Sequence, residues 1–178
     1  MTAHPFEPGP LVDEVGCEPA GDRWTLVFVR DLRHPPRKVW AALTEPGQLT
    51  RWAPYTADRD LGSTGAATLS MLDGAAPAPM ATEVLRAEPP TLLEYGWGGD
   101  LLRWELTATD AGTRLTLRHT VTDRDSVPMM AAGWHICLAV ADRLLDGDPV
   151  DPIRGNDALD HGWTQLRDGY RDRLEPDR

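Results

Sequence analysis

Two groups of side chains in this chain could do chemistry: its five histidines and its two cysteines. An imidazole titrates close to neutral pH, so a positioned histidine can accept a proton and return it. His119 lies in RLTLRHTV (114–121), where Leu115, Leu117, His119 and Val121 alternate with Arg114, Thr116 and Arg118. A period of two puts it on an apolar strand face. There it could hydrogen-bond a ligand, act as a general base, or be a core or rim histidine satisfied by backbone. His135 follows Trp134 beside an apolar helical stripe and is the second catalytic candidate, with a structural or partly exposed role as the competing reading. His4, His34 and His161 pair neither with these nor with Cys17 and Cys137 at metal-ligand spacing, so no metal site and no cofactor is expected. There is no G-x-S-x-G elbow, phosphate loop, dinucleotide fingerprint or H-E-x-x-H.

The aromatic residues are the other notable set. Seven tryptophans stand against three tyrosines and two phenylalanines. Tyr95, Trp97 and Trp104 fall on the apolar faces of two strands, and Trp134 on the helix that should cover them. Together with Met130 they could wall a pocket for a planar apolar ligand, with His119 as a polar handle. Alternatively the indoles simply fill the space. Met129 adds pliable surface at the same end. Trp40 and Trp52 read as anchors for short helices. Glu94 and Glu105 point outward by phase, Glu83 is ambiguous, and no pair resembles a two-carboxylate site.

The elements that must position these residues follow from the patterning. WTLVFVRDL (24–32) is a strand buried on much of both faces. HPPRKVWAALTEPGQLTRW (34–52) changes to helical period, broken at Pro46 and Gly47 into two short helices. Strands follow at 66–72, 80–87, 91–97, 101–109 and 113–121, with a short one near 59–62; turn signals separate them, including Gly98-Gly99-Asp100 and Asp110-Ala111-Gly112. Such short spacers require antiparallel neighbours. The last three strands are apolar on one face, so something must cover them. The cover is a helix over 127–146, about 30 Å long, between a Ser126 N-cap and Gly147. A further amphipathic helix is predicted over 156–175, while residues 1–21 read as an irregular leader and 22–178 as a single domain.

Composition narrows the function classes. A formal net charge of -10 repels phosphate backbones and anionic membranes, and no basic stripe offsets it. No apolar run is long enough to span a bilayer, and the first residues lack a signal-peptide pattern. Two distant cysteines read as free thiols in a reducing compartment, so a cytoplasmic location is expected.

The order strand, two short helices, strand meander and long covering helix resembles the SRPBCC, or START-like, helix-grip superfamily. Within it the chain is similar to the branch of heat-shock chaperone ATPase activators (Aha-type), which includes polyketide-cyclase-like proteins. The resemblance rests on residues 34–52, on EVLRAEPPTLLEYGWG (83–98), on RWELTATDAGTRLTLRHT (103–120) and on AAGWHICLAVADRLLDG (131–147); ALDHGW (158–163) is similar to an extension in some bacterial members. It implies an α+β helix-grip fold, with a curved antiparallel sheet of six or seven strands around the long helix. It implies three functions: binding of a small hydrophobic or aromatic molecule, a cyclase or aromatase using the same pocket, or a surface that regulates a chaperone ATPase. A homodimer or a chaperone is the protein partner expected, and nucleic acid and membrane are not.

Overall fold

The computed structural model describes residues 6–175. Residues 1–5 of the expected leader, His4 among them, and residues 176–178 lie outside the described part. The elements run β1 (Val15–Ala20), β2 (Arg23–Leu32), α1 (Pro36–Thr44), α2 (Pro46–Leu49), β3 (Tyr55–Ala57), β4 (Gly65–Met71), β5 (Ala78–Glu88), β6 (Leu92–Trp97), β7 (Asp100–Thr109), β8 (Gly112–Val121), α3 (Val127–Leu145) and α4 (Trp163–Leu174). All strands join one antiparallel sheet of eight, ordered β1-β2-β8-β7-β6-β5-β4-β3. This is an α+β helix-grip fold.

Alternation fixes what the sheet offers α3. The register sets Leu93 beside Trp104 and Trp104 beside Leu117, and the next row is Tyr95, Leu102 and His119. All six side chains are fully buried. α3 lies over this face, and the small buried residues Ala131, Ala132, Ala139 and Ala141 let its backbone approach. The helix ends in a Schellman motif: Gly147, at φ 80°, donates to Leu144, and Asp148 donates to Arg143. From α1, Lys38 Nζ donates to the C-terminal carbonyl of Leu145 at 2.5 Å.

Three expectations need correction. The leader is not irregular throughout, because Val15–Ala20 pairs with β2 as an edge strand. Its turn, Gly21-Asp22, has glycine at φ 65° in the first central position, as a tight hairpin requires. With β3 also counted, the strands number eight rather than six or seven. β3 lies upstream of the expected 59–62, because Arg59 ties the following turn to the carbonyls of Ser63, Gly65 and Ala66. The C-terminal segment is a 3-10 turn (Gly155–His161) and then α4, divided at Gly162, whose φ of 82° breaks the helical path.

Candidate functional site

Beneath α3 the indoles meet edge to face. Trp104 is perpendicular to Trp52 at 6.2 Å and to Trp134 at 5.4 Å, and Trp97 tilts against Trp134 at 5.7 Å. Trp97, Trp104 and Trp134 therefore do come together. They play different parts, however. Trp104 and Tyr95 are wholly enclosed, in the filled layer between sheet and helix. The Tyr55 and Tyr95 hydroxyls hydrogen-bond each other. Burial raises both phenols, Tyr95 to about 12. The Trp104 N–H lies near the Tyr95 hydroxyl but outside hydrogen-bonding geometry.

His119 belongs to this enclosed layer. Its Nδ1 accepts from Trp134 Nε1 at 2.9 Å, which leaves Nε2–H to donate to Asp100 Oδ2 at 2.7 Å. The hairpin places the carboxylate there: Gly98 and Gly99, at φ 60° and 88°, turn the chain so that Asp100 opposes Trp97. Asp100 then shares a face with Leu102, the direct neighbour of His119. Both imidazole nitrogens are occupied, so the group holds Trp134 in position and has no nitrogen left for a ligand. His119→Leu should cost about 2–4 kcal/mol in urea unfolding, because it strands the Trp134 N–H and the Asp100 carboxylate together.

His135 faces elsewhere. Nδ1 accepts from Tyr170 OH at 2.6 Å, Nε2 donates to the Pro8 carbonyl at 2.8 Å, and Tyr170 OH accepts from Val12 N–H. This cluster pins residues 8–12 and α4 to α3. No hydrogen bond joins His135 to His119. Burial chiefly lowers the His135 pKa, with Arg30 adding to it. As pH falls below the unfolded-state value of about 6.5, the unfolded chain takes up a proton that the folded chain resists. Stability should therefore decline as pH falls through and below about 6.5, and melting curves of His135→Gln should lack that slope.

A third histidine finds partners that spacing did not suggest. His34 Nε2 lies 2.8 Å from Asp146 Oδ1 and 3.8 Å from Asp142 Oδ1, a grouping that could hold a cation. Arg30 already pairs with Asp142 at 3.3 Å, and Lys38 sits on the same helix end. These cations offset the two carboxylates, and the cluster fastens β2 and α1 to the last turn of α3.

The open space is one layer further out. A cleft of about 160 Å³ runs between the first half of α3 and the segment after it. Trp97, Met130 and Trp134 line it, as does Met129; Tyr95, Trp104 and His119 do not. Cys137 joins them from α3, and the other wall contains Ile153, Arg154 and Trp163; sequence reasoning had placed none of the four there. Cys137 carried a usable signal, since it shares the helical stripe with Met130 and Trp134. Its thiol is pushed up to about 12 by burial, against a smaller opposing effect of Arg154, so it is no nucleophile near neutral pH. Gly133 also lines the cleft, and a Cβ built there would meet nothing within 4 Å.

The family model described as activator of Hsp90 ATPase homolog 1-like protein matches residues 33–146, more than half of the chain. The chain belongs to this family. As an activator-like protein it falls in the SRPBCC helix-grip superfamily, on the Aha-type branch. A conserved protein of unknown function from Enterococcus faecalis superposes with a TM-score of 0.69 at 14% identity, covering 90% of each chain. A Bordetella parapertussis protein gives 0.66 at 22%, covering 98% of this chain and 96% of that one. An AHSA1-like protein from Aeromonas hydrophila gives 0.58 at 19%, covering 69% and 92%. At these identities the likeness carries the fold alone. No curated protein matches the chain. Among the described residues, no helix is long and apolar enough to cross a membrane. The matched residues of this activator-like chain end at α3, so Ile153, Arg154 and Trp163 of the cleft lie outside them.

Proposed function

We propose that the protein binds a small apolar molecule, of about one aromatic ring, in the cleft between α3 and the segment 151–163. Gly133 carries the proposal. A glycine inside a helix costs roughly 0.5–1 kcal/mol relative to alanine, and here it faces open space in the cleft wall. The missing side chain keeps the hollow vacant.

Size chooses among ligands. An apolar cavity of about 150 Å³ accepts benzene, whereas pockets for drug-sized molecules occupy about 300–1,000 Å³. At about 160 Å³ this cleft suits one ring. A cyclase would need a proton carrier at the ligand, and His119 and His135 are both fully engaged elsewhere. Binding is thus better supported than catalysis. A chaperone contact would use the outer surface and be indifferent to the contents of the cleft.

The test is a titration with toluene or phenol, followed by tryptophan fluorescence and calorimetry. Saturable quenching is expected, because Trp97, Trp134 and Trp163 form the walls. Absence of any saturable heat or quenching with one-ring compounds would remove the proposal.

A further inference from the structure

Arg154 is the one cation among the residues lining the cleft. Its Nε donates to the Ala53 carbonyl at 2.9 Å and its Nη2 to the Thr50 carbonyl. Nη1 has no hydrogen-bond partner, and among the described residues no carboxylate comes within ion-pair distance of the guanidinium. Asp73, the other charged residue of the cleft, does not pair with it. Desolvation makes the charge costly here and lowers the Arg154 pKa. Some other arginines pair closely with acids, as Arg118 with Glu105 and Arg143 with Asp148, each at 2.7 Å, whereas Arg59 and Arg23 donate to carbonyls outside the cleft. On the opposite side of the cleft Trp97 Nε1 is buried without a partner.

Partly buried charges are normally paired, and buried N–H groups normally bonded. From this cation without an acid partner in a mostly apolar cleft we infer that the ligand is a one-ring aromatic carboxylate, its ring against the indoles and its carboxylate on Arg154. The inference rests on the proposed binding role and adds the chemical class. A carboxylate matches a guanidinium in geometry as well as charge, so it can take up the Nη1 hydrogens that no protein acid claims. The net charge of -10 gives no general attraction for anions, so any preference for an acid must come from the site itself.

Calorimetric titration with benzoate and with benzamide, which match in shape and differ in charge, separates the two ideas. The wild-type protein should bind benzoate at least about tenfold more tightly than benzamide. Arg154→Met should remove that preference while benzamide affinity changes by less than about threefold. Arg154→Lys, which retains the charge without the fork, should leave an intermediate preference and guards against a folding defect in the methionine variant. Equal affinity of the wild-type protein for both compounds would overturn the carboxylate assignment and leave the binding role standing. Binding of neither would overturn both.

Discussion

Gly133→Leu should abolish saturable binding of one-ring compounds, or weaken it at least about tenfold, while the protein stays folded and becomes more stable. A leucine side chain grown from α3 at this point enters the space a ligand would fill, because nothing lies within 4 Å of the first added carbon. The ligand and the leucine then compete for one volume, and driving the leucine out would cost at least about 1.4 kcal/mol, a factor of ten in affinity. Stability should move the other way. Replacing glycine inside a helix recovers roughly 0.8–1 kcal/mol of propensity, and each methylene buried against the indoles adds up to about 0.8 kcal/mol. Gly133→Ala makes the control, since one methyl raises stability by about 0.5–1 kcal/mol and still leaves room for a ring. Fluorescence titration and urea unfolding of the three proteins check both arms. If Gly133→Leu bound the ligand as well as the wild-type protein, the ligand would have to sit elsewhere.

Gly112→Ala should be among the most damaging single-methyl additions possible, with a loss of about 3 kcal/mol or more. Gly112 opens β8 at φ 152°, a backbone conformation that side chains rarely adopt. A Cβ there would sit 2.2 Å from the Leu32 carbonyl oxygen and 2.6 Å from the His34 nitrogen. Both are main-chain atoms, so no side-chain rotation relieves the clash. The β7–β8 turn would have to part from the end of β2, which also breaks the hydrogen bond from Thr113 Oγ1 to the His34 carbonyl at 2.6 Å. Denaturant midpoints should fall steeply, and far-ultraviolet dichroism should show whether the sheet forms at all. An alanine variant of near wild-type stability would mean that this corner is much looser than its packing indicates.

The two glycines illustrate what was legible in advance. Gly112 stood in the turn signal Asp110-Ala111-Gly112, so the turn was legible locally, but not the approach of the Leu32 and His34 main chain that forbids a side chain there. Gly133 gave no local warning, since a lone glycine in a helix says nothing about what it faces. β1 could have been found from Gly21-Asp22 between two apolar stretches, but the prolines upstream concealed it. Asp100 ends the turn signal Gly98-Gly99-Asp100, and local pattern does not reveal that it also opens β7 on the face of Leu102 and Trp104 and so reaches His119.

By itself the sequence determined which faces are apolar, and with them the order of elements, the antiparallel sheet and the helix that covers it. Those properties follow from periods of two and 3.6, which are set by neighbours a few residues apart. Only the tertiary structure decided where the covered space is solid and where it is hollow. Trp104 and Tyr95 ended in the filled layer and Trp97 and Trp134 at the opening, although all four looked alike in pattern. Arg154 reached the cleft from an aperiodic segment because carbonyls about a hundred residues away, on Thr50 and Ala53, hold its side chain. A void is what remains after distant elements contribute their volumes, and no local repeat encodes that remainder.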